Sequence, residues 1–228
     1  MFNRTTLLIL LVALATGAGL MAAEHVFNRS PAPASAPPLK TVRLMSTPRV
    51  LPDFALQQSD RTQLLPGELR GHWTVVFIGF TFCPDVCPTT LAELAQAQNR
   101  WTTLPESTRP RVLFVSVDPE RDTIEKIGEY AHAFHKDTLA ATADIPTLEA
   151  FAKSLSLVFA KVPLGEEAPG EEAPGDDAPA DQYTIDHSGT LVLLDPQGRM
   201  AGVIQPPLQP RDIAEDLATL TAHAQGAR

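Results

Sequence analysis

The chain has 228 residues, 44% of them hydrophobic, with 18 Lys and Arg against 27 Asp and Glu. That apolar share suits one globular core with appendages and excludes a wholly disordered chain. The net charge of −9 is a misleading guide to partners, because most of it sits in one acidic insert, and the lack of a basic stretch interleaved with aromatic residues argues against a nucleic-acid partner.

Thr5 to Ala23 carries no charge and is rich in Leu and Ala, and at 19 residues it just reaches across a hydrocarbon core of about 30 Å. It reads as an uncleaved membrane anchor or a signal peptide. Cutting after Ala13-Leu14-Ala15 would leave a very short apolar region and strand Gly17 to Ala23 on the mature end, which favours the anchor. Arg4 on one side faces Arg29 and Lys40 on the other, so positive charge does not orient the span. A tiny N-terminal tail and a large C-terminal domain point to an exported domain, that is, one inner-membrane span with the C-terminal part on the periplasmic side. Ser30 to Pro38, dense in proline, favours polyproline II and would span about 28 Å at about 3.1 Å per residue. The expected organisation is an anchor over 1–23, a proline-rich linker over 24–49 and one domain over 50–228.

Within that domain, strand-length and helical patterns alternate. Val75 to Phe80 is an apolar run of strand length, followed by Leu91, Leu94, Ala95 and Gln98 at helical spacing in Thr89 to Trp101, with Pro88 in a first-turn position. Val112 to Val117 is a second β-branched run. It leads into Asp118-Pro119-Glu120-Arg121-Asp122-Thr123, where Asp122 and Glu125 read as a capping box for a helix burying Ile127, Tyr130, Ala131 and Phe134. Two strand-to-helix units in succession imply a parallel strand pair. Asp144 to Leu155 reads as a third helix and Leu157 to Val162 as a strand. Beyond Tyr183 to Ile185, Thr190 to Leu194 and Met200 to Ile204 form a hairpin through Pro196-Gln197-Gly198, and Arg211 to Ala224 closes as an amphipathic helix. This order predicts an α/β, thioredoxin-like fold, a central mixed sheet flanked by helices, with the N-terminal membrane anchor attached.

The predicted domain is interrupted by a repeat. Gly165 to Pro179 runs Gly-Glu-Glu-Ala-Pro twice and Gly-Asp-Asp-Ala-Pro once, and its six acids supply most of the net charge of −9. With no large apolar residue and a proline in every unit it cannot bury enough surface to order itself, so residues 165–181 read as a disordered acidic insert.

The two cysteines of the chain, Cys83 and Cys87, fall between the first strand and its helix. A disulfide closing so short a loop would contribute only about 2 kcal/mol, so a structural role explains little. Three intervening residues let both sulfurs turn toward one ion. The helix N-terminus should lower the Cys87 thiol pKa. Soft thiolates prefer Cu(I), whereas structural zinc would ask for a fourth protein ligand. Among the six histidines, His25 and His223 are poorly placed, His132 and His135 read as a solvated helix face, and His72 precedes its strand at the end away from the thiols. His187, in the tight turn Asp186-His187-Ser188-Gly189, reads locally as either a hydrogen-bonded turn residue or a ligand.

Three separated stretches resemble the Sco/SenC family of copper-binding thioredoxin-like proteins: Phe77 to Leu91 around the cysteines, Val115 to Thr123, and Tyr183 to Ser188. The likeness runs from about Pro52 to the last helix. It implies a membrane-anchored metallochaperone that binds Cu(I) or Cu(II) through Cys83, Cys87 and His187. Its implied partners are the copper-A subunit of cytochrome c oxidase and other copper chaperones. Cys83 and Cys87 would double as redox thiols able to reduce the target's disulfide. Ile124 stands where the family usually has proline, and Phe82 where many members carry histidine; neither is a ligand position. The competing reading is a membrane-anchored thiol-disulfide oxidoreductase of thioredoxin type without obligatory copper. Against it stand the three-residue spacing and the presence of Ser188-Gly189 where a proline would be expected. A peroxiredoxin would need threonine at Phe80, and a cupredoxin would need a His and Met cluster after Cys87.

Overall fold

The unbroken apolar runs become the centre of a sheet. The structure, a computed structural model, describes residues 38–163 and 183–226, together with 3, 4, 8, 14–17 and 19. Strand β4 (Thr74–Gly79) is buried at every position, as a strand covered on both faces must be. It pairs in parallel with β5 (Arg111–Ser116), which pairs in parallel with β6 (Leu139–Thr142). On the other side of β4 lies β9 (Leu191–Leu194), hairpinned antiparallel to β10 (Met200–Ile204). The β1 strand (Arg43–Arg49) closes that edge, while β2 (Leu56–Gln58) and β3 (Gln63–Leu64) extend the sheet beyond β6 to a total of eight strands. A separate antiparallel ribbon is made by β7 (Phe159–Pro163) and β8 (Tyr183–His187).

Within residues 38–163 and 183–226, four α-helices accompany the strands: α1 (Val86–Trp101), α2 (Ile124–Phe134), α3 (Ile145–Ser154) and α4 (Pro210–Gly226). Each buries one apolar stripe, Leu91, Leu94 and Trp101 on α1 and Ile213, Leu217 and Leu220 on α4 among them. Trp101 Nε1 donates to the Ala214 carbonyl at 3.2 Å, which ties α1 to α4. Asp144 caps α3 as expected, its carboxylate accepting from Thr147 N.

The structure differs from the sequence-based expectation in several places. The sheet begins at Arg43 rather than near Val50, inside the stretch expected to be linker. The buried Asp216 carboxylate accepts the backbone N–H groups of Lys40, Thr41 and Val42, pinning the chain there. Gly202 then lets β1 lie flush on β10, since a Cβ there would stand 2.7 Å from the Arg43 carbonyl oxygen. Helix α1 starts at Val86, so Pro88 is its third residue. The cap of α2 is Thr123, whose hydroxyl accepts from Lys126 N at 3.2 Å, and not Asp122. Strands β2, β3 and β6 carry little sequence signal because they are short and, in β6, built from Leu-Ala-Ala-Thr. Most of the apolar segment Thr5 to Ala23, and the whole acidic repeat Gly165 to Pro179, lie outside the described residues. Among the described residues no helix is long and apolar enough to cross a membrane.

Candidate metal centre

Strand β4 delivers the chain to the site and α1 carries it away. Between them Cys83 N–H donates to the Phe80 carbonyl at 3.3 Å, turning the backbone so that Cys83 stays partly exposed. Cys87, the second residue of α1, is fully buried. Its N–H points at Cys83 Sγ at 3.4 Å, and both thiols are free. His187 ends β8 and brings its Nε2 to 3.4 Å from Cys87 Sγ. The three potential ligand atoms lie within 4.8 Å of one another. Among the described residues this is the one such group of three or more His, Cys, Asp and Glu side chains.

The imidazole is presented rather than merely near. Phe77 and Phe80 meet its ring edge to face at 5.9 and 6.0 Å. Nδ1 faces the Ser188 carbonyl oxygen at 3.3 Å, an acceptor that places the proton on Nδ1 and leaves the Nε2 lone pair toward the sulfurs. Burial lowers the His187 pKa, favouring the neutral form that ligates metals.

The expected lowering of the Cys87 pKa is reversed. Burial pushes this thiol well up, against the favourable backbone contact from Phe80. The first turn of a helix contributes only part of a charge, whereas complete removal of a thiolate from water is the larger effect. Burial therefore favours the thiol form of Cys87 in the metal-free protein.

The Asp118 to Thr123 stretch, which reads from sequence as a helix start, proves to be the bracket that joins the cysteine loop to the histidine ribbon. The buried Asp122 carboxylate accepts from Thr81 N at 2.8 Å and from Ser116 Oγ at 2.6 Å, and also takes the Thr81 hydroxyl. It thus fixes the loop two residues before Cys83. Asp118, equally buried, accepts from Tyr183 OH at 2.6 Å and from Arg121 Nε at 2.6 Å. Arg121 also donates to the Tyr183 carbonyl at 2.9 Å and stacks 3.6 Å from the Tyr183 ring centre. Tyr183 begins the strand that His187 ends, so this bracket sets the register of His187. The paired acids around Pro-Glu-Arg are the signal for it, but their local pattern is that of a cap.

The remaining histidines stay apart from the cluster. His72 takes a contact from Arg111 Nη2 at 2.6 Å and lies 2.8 Å from the Arg109 carbonyl, at the start of β4. His132 and His223 are exposed, His135 is partly buried and accepts from Asp137 N, and His25 lies outside the described residues.

Gly79 makes room for the buried sulfur. A Cβ at this position would stand 2.7 Å from Cys87 Sγ and 3.1 Å from Phe114. Gly79→Ala is expected to lower unfolding free energy by about 1–3 kcal/mol, the usual cost of overpacking, and to weaken metal binding by displacing the sulfur from His187. Denaturant unfolding beside a metal titration measures both.

The mixed sheet and flanking helices, with two thiols and an imidazole converging at a strand-to-helix turn, define a thioredoxin-like domain built to hold a soft metal ion. The SCO1/SenC family model matches residues 43–222, and the chain belongs to that family. It is 32% identical over 146 residues to the mitochondrial protein SCO1 homolog 1 of Arabidopsis thaliana, covering 63% of this chain and 39% of that relative's length. The crystal structure of Arabidopsis thaliana ScoI with copper bound is similar at a TM-score of 0.62 and 26% identity, over 77% of this chain and 99% of that one. Bradyrhizobium japonicum ScoI with copper bound is similar at a TM-score of 0.61 and 27% identity, over 74% and 98%.

Proposed function

We propose that the protein is a copper metallochaperone: Cys83, Cys87 and His187 hold one copper ion for delivery to the copper-A centre of cytochrome c oxidase. The observation that carries this is the convergence of two free thiols and an oriented imidazole within 4.8 Å. The copper-bound ScoI structures and membership of the family support the choice of metal and the oxidase as destination. The donor set fits, since two soft sulfurs and one nitrogen suit Cu(I), and three donors fall short of the four usual for structural zinc. Bound copper supplies the positive charge that replaces the thiol protons, and it is the cargo rather than a reagent.

The same pair can serve as reductant for a target disulfide. Cys83, the more exposed sulfur, attacks one target sulfur as thiolate and forms a mixed disulfide, while the other target sulfur leaves and takes up a proton. Cys87 then attacks Cys83, closing the Cys83–Cys87 disulfide and releasing the second target sulfur as a thiol. Two electrons and two protons pass to the target. The thiolates are consumed in the process, so the oxidised protein no longer holds copper.

This reading extends to the membrane. Thr5 to Ala23 anchors the chain in the inner membrane, with the domain on the extracytoplasmic side. The support is the composition of that segment and of the proline-rich stretch that follows. Metal analysis of the purified domain tests the central claim, with one copper per chain expected after reduction and none after oxidation to the disulfide. Copper retained by the oxidised form would contradict it.

Deleting Gly165 to Pro179 is expected to leave the fold and copper stoichiometry unchanged. Pro163 and Tyr183 already face each other as the last pair of the β7–β8 ribbon. Leu164, Ala180, Asp181 and Gln182 would then close the hairpin, a loop length that antiparallel strands accept. Loss of a cooperative thermal transition in the deleted protein would show the repeat to be structural.

A further inference from the structure

Phe82 leaves 53% of its surface open to water, although Phe80, two residues earlier on the same loop, is buried. Burial therefore does not hold the Phe82 ring in place. Two cations do: Lys126 Nζ stands 3.4 Å and Arg121 Cζ 4.9 Å from the ring centre, where the negative face of the ring attracts their charge.

Both cations are themselves tied down. The Arg121 guanidinium is fixed by the Asp118 carboxylate at 2.6 Å and by the Tyr183 carbonyl at 2.9 Å. Lys126 Nζ donates to the Arg121 carbonyl at 3.2 Å and lies 3.6 Å from the buried Asp122 carboxylate. The ring is thus gripped by the same bracket that joins the cysteine loop to the His187 ribbon.

The grip falls beside a candidate ligand. Cys83 follows Phe82 directly, is only partly buried, and presents its Sγ to the Cys87 N–H at 3.4 Å. Surrounding side chains enclose the Cys87 sulfur but not this one, so the backbone leading into Cys83 has to aim it. Thr81 N–H is bound to Asp122 and Cys83 N–H to the Phe80 carbonyl. Phe82, between them, is held through its ring.

We propose that Phe82 is a positioning residue for Cys83: the pull of Lys126 and Arg121 on its ring keeps the partly exposed sulfur turned toward Cys87 and His187, and so sets how long copper stays bound. This rests on the proposed copper function. Losing the grip frees the turn, lets the sulfur swing toward water and makes Cys83 the first ligand to let go.

Phe82→Ala, Phe82→Tyr and Lys126→Met test this in the folded protein. All three are expected to load one copper per chain. Transfer of Cu(I) to an excess of a small chelator should be faster in Phe82→Ala by about 5- to 30-fold, the range that two such contacts supply, and in Lys126→Met by about 2- to 5-fold, the range for one. Phe82→Tyr keeps the aromatic face and should release copper at the wild-type rate. In the reduced, metal-free proteins, alkylation of Cys83 by iodoacetamide, located by mass spectrometry, should rise in the same order. A role in global stability alone would move the unfolding midpoint and neither of these rates. Wild-type release and alkylation rates in Phe82→Ala overturn the assignment while leaving the copper site standing, and should that variant fail to fold, wild-type rates in Lys126→Met do the same. Transfer slowed only toward a protein acceptor, with the chelator rate unchanged, makes Phe82 a docking contact instead and also overturns it. A wild-type protein that binds no copper overturns the functional reading, and the alkylation rates then still decide whether Phe82 holds Cys83.

Discussion

Cys87→Ala is expected to take copper binding from one ion per chain to none, and Cys83→Ala to do the same, with the double variant no different from either. One thiolate and one imidazole are a poor site for a soft ion, and the described residues place no further thiol, carboxylate or histidine in the cluster. The two substitutions differ in what else they do. Cys87 is fully buried beside Gly79 and Phe114, so truncation leaves a small cavity and is expected to cost about 1 kcal/mol of stability. Cys83 is partly exposed, and its loss is expected to leave stability nearly unchanged. Metal analysis after dialysis, with chemical unfolding of the same samples, separates the two effects. Stoichiometric, tight copper in the double variant would rule out the proposed site.

His187→Ala is expected to divide the two activities. Copper should bind about 100-fold more weakly, about 3 kcal/mol, because losing a ligand should match or exceed the roughly 10–100-fold cost of losing an outer-shell partner. The spectrum of bound Cu(II) should change with the loss of the nitrogen donor. Disulfide reduction by Cys83 and Cys87 should persist, because it depends on thiolate character and access and uses no imidazole ligand. The fold should survive, because β8 is held by Arg121 and Asp118 at Tyr183 rather than by His187. A copper competition titration, Cu(II) spectroscopy and a disulfide-reduction assay on one preparation test all of this. Unchanged affinity and spectrum would remove His187 from the site and favour the plain thiol oxidoreductase.

Much of the fold is legible in the amino-acid sequence. The unbroken run Val75 to Phe80 and the β-branched run Val112 to Val117 each report a strand covered on both faces, and both are central in the sheet. Leu91, Leu94 and Ala95, like Ile127 and Ala131, repeat at helical spacing, and they are buried on α1 and α2. Hydrophobic period is a local property, so local sequence suffices to read it. The Cys83–Cys87 spacing likewise marks a soft-metal pair, and the family resemblance supplies His187.

Local pattern is thus enough to read the long central strands and the helices, and the residue types present to bind a metal, but not the short or edge strands β1, β2, β3 and β6. Tertiary packing sets how those residues meet and in what state. It set the distance between Cys87 and His187, 100 positions apart in sequence, at 3.4 Å. It turned Asp122 from an apparent helix cap into the support of the cysteine loop, and the burial of Cys87 reversed the direction of its pKa. It also made a strand of Arg43 to Arg49 by giving three backbone N–H groups to Asp216. The physical reason is common to all four. Desolvation and the pairing of buried polar groups depend on neighbours remote along the chain, and no local pattern records which neighbours those are.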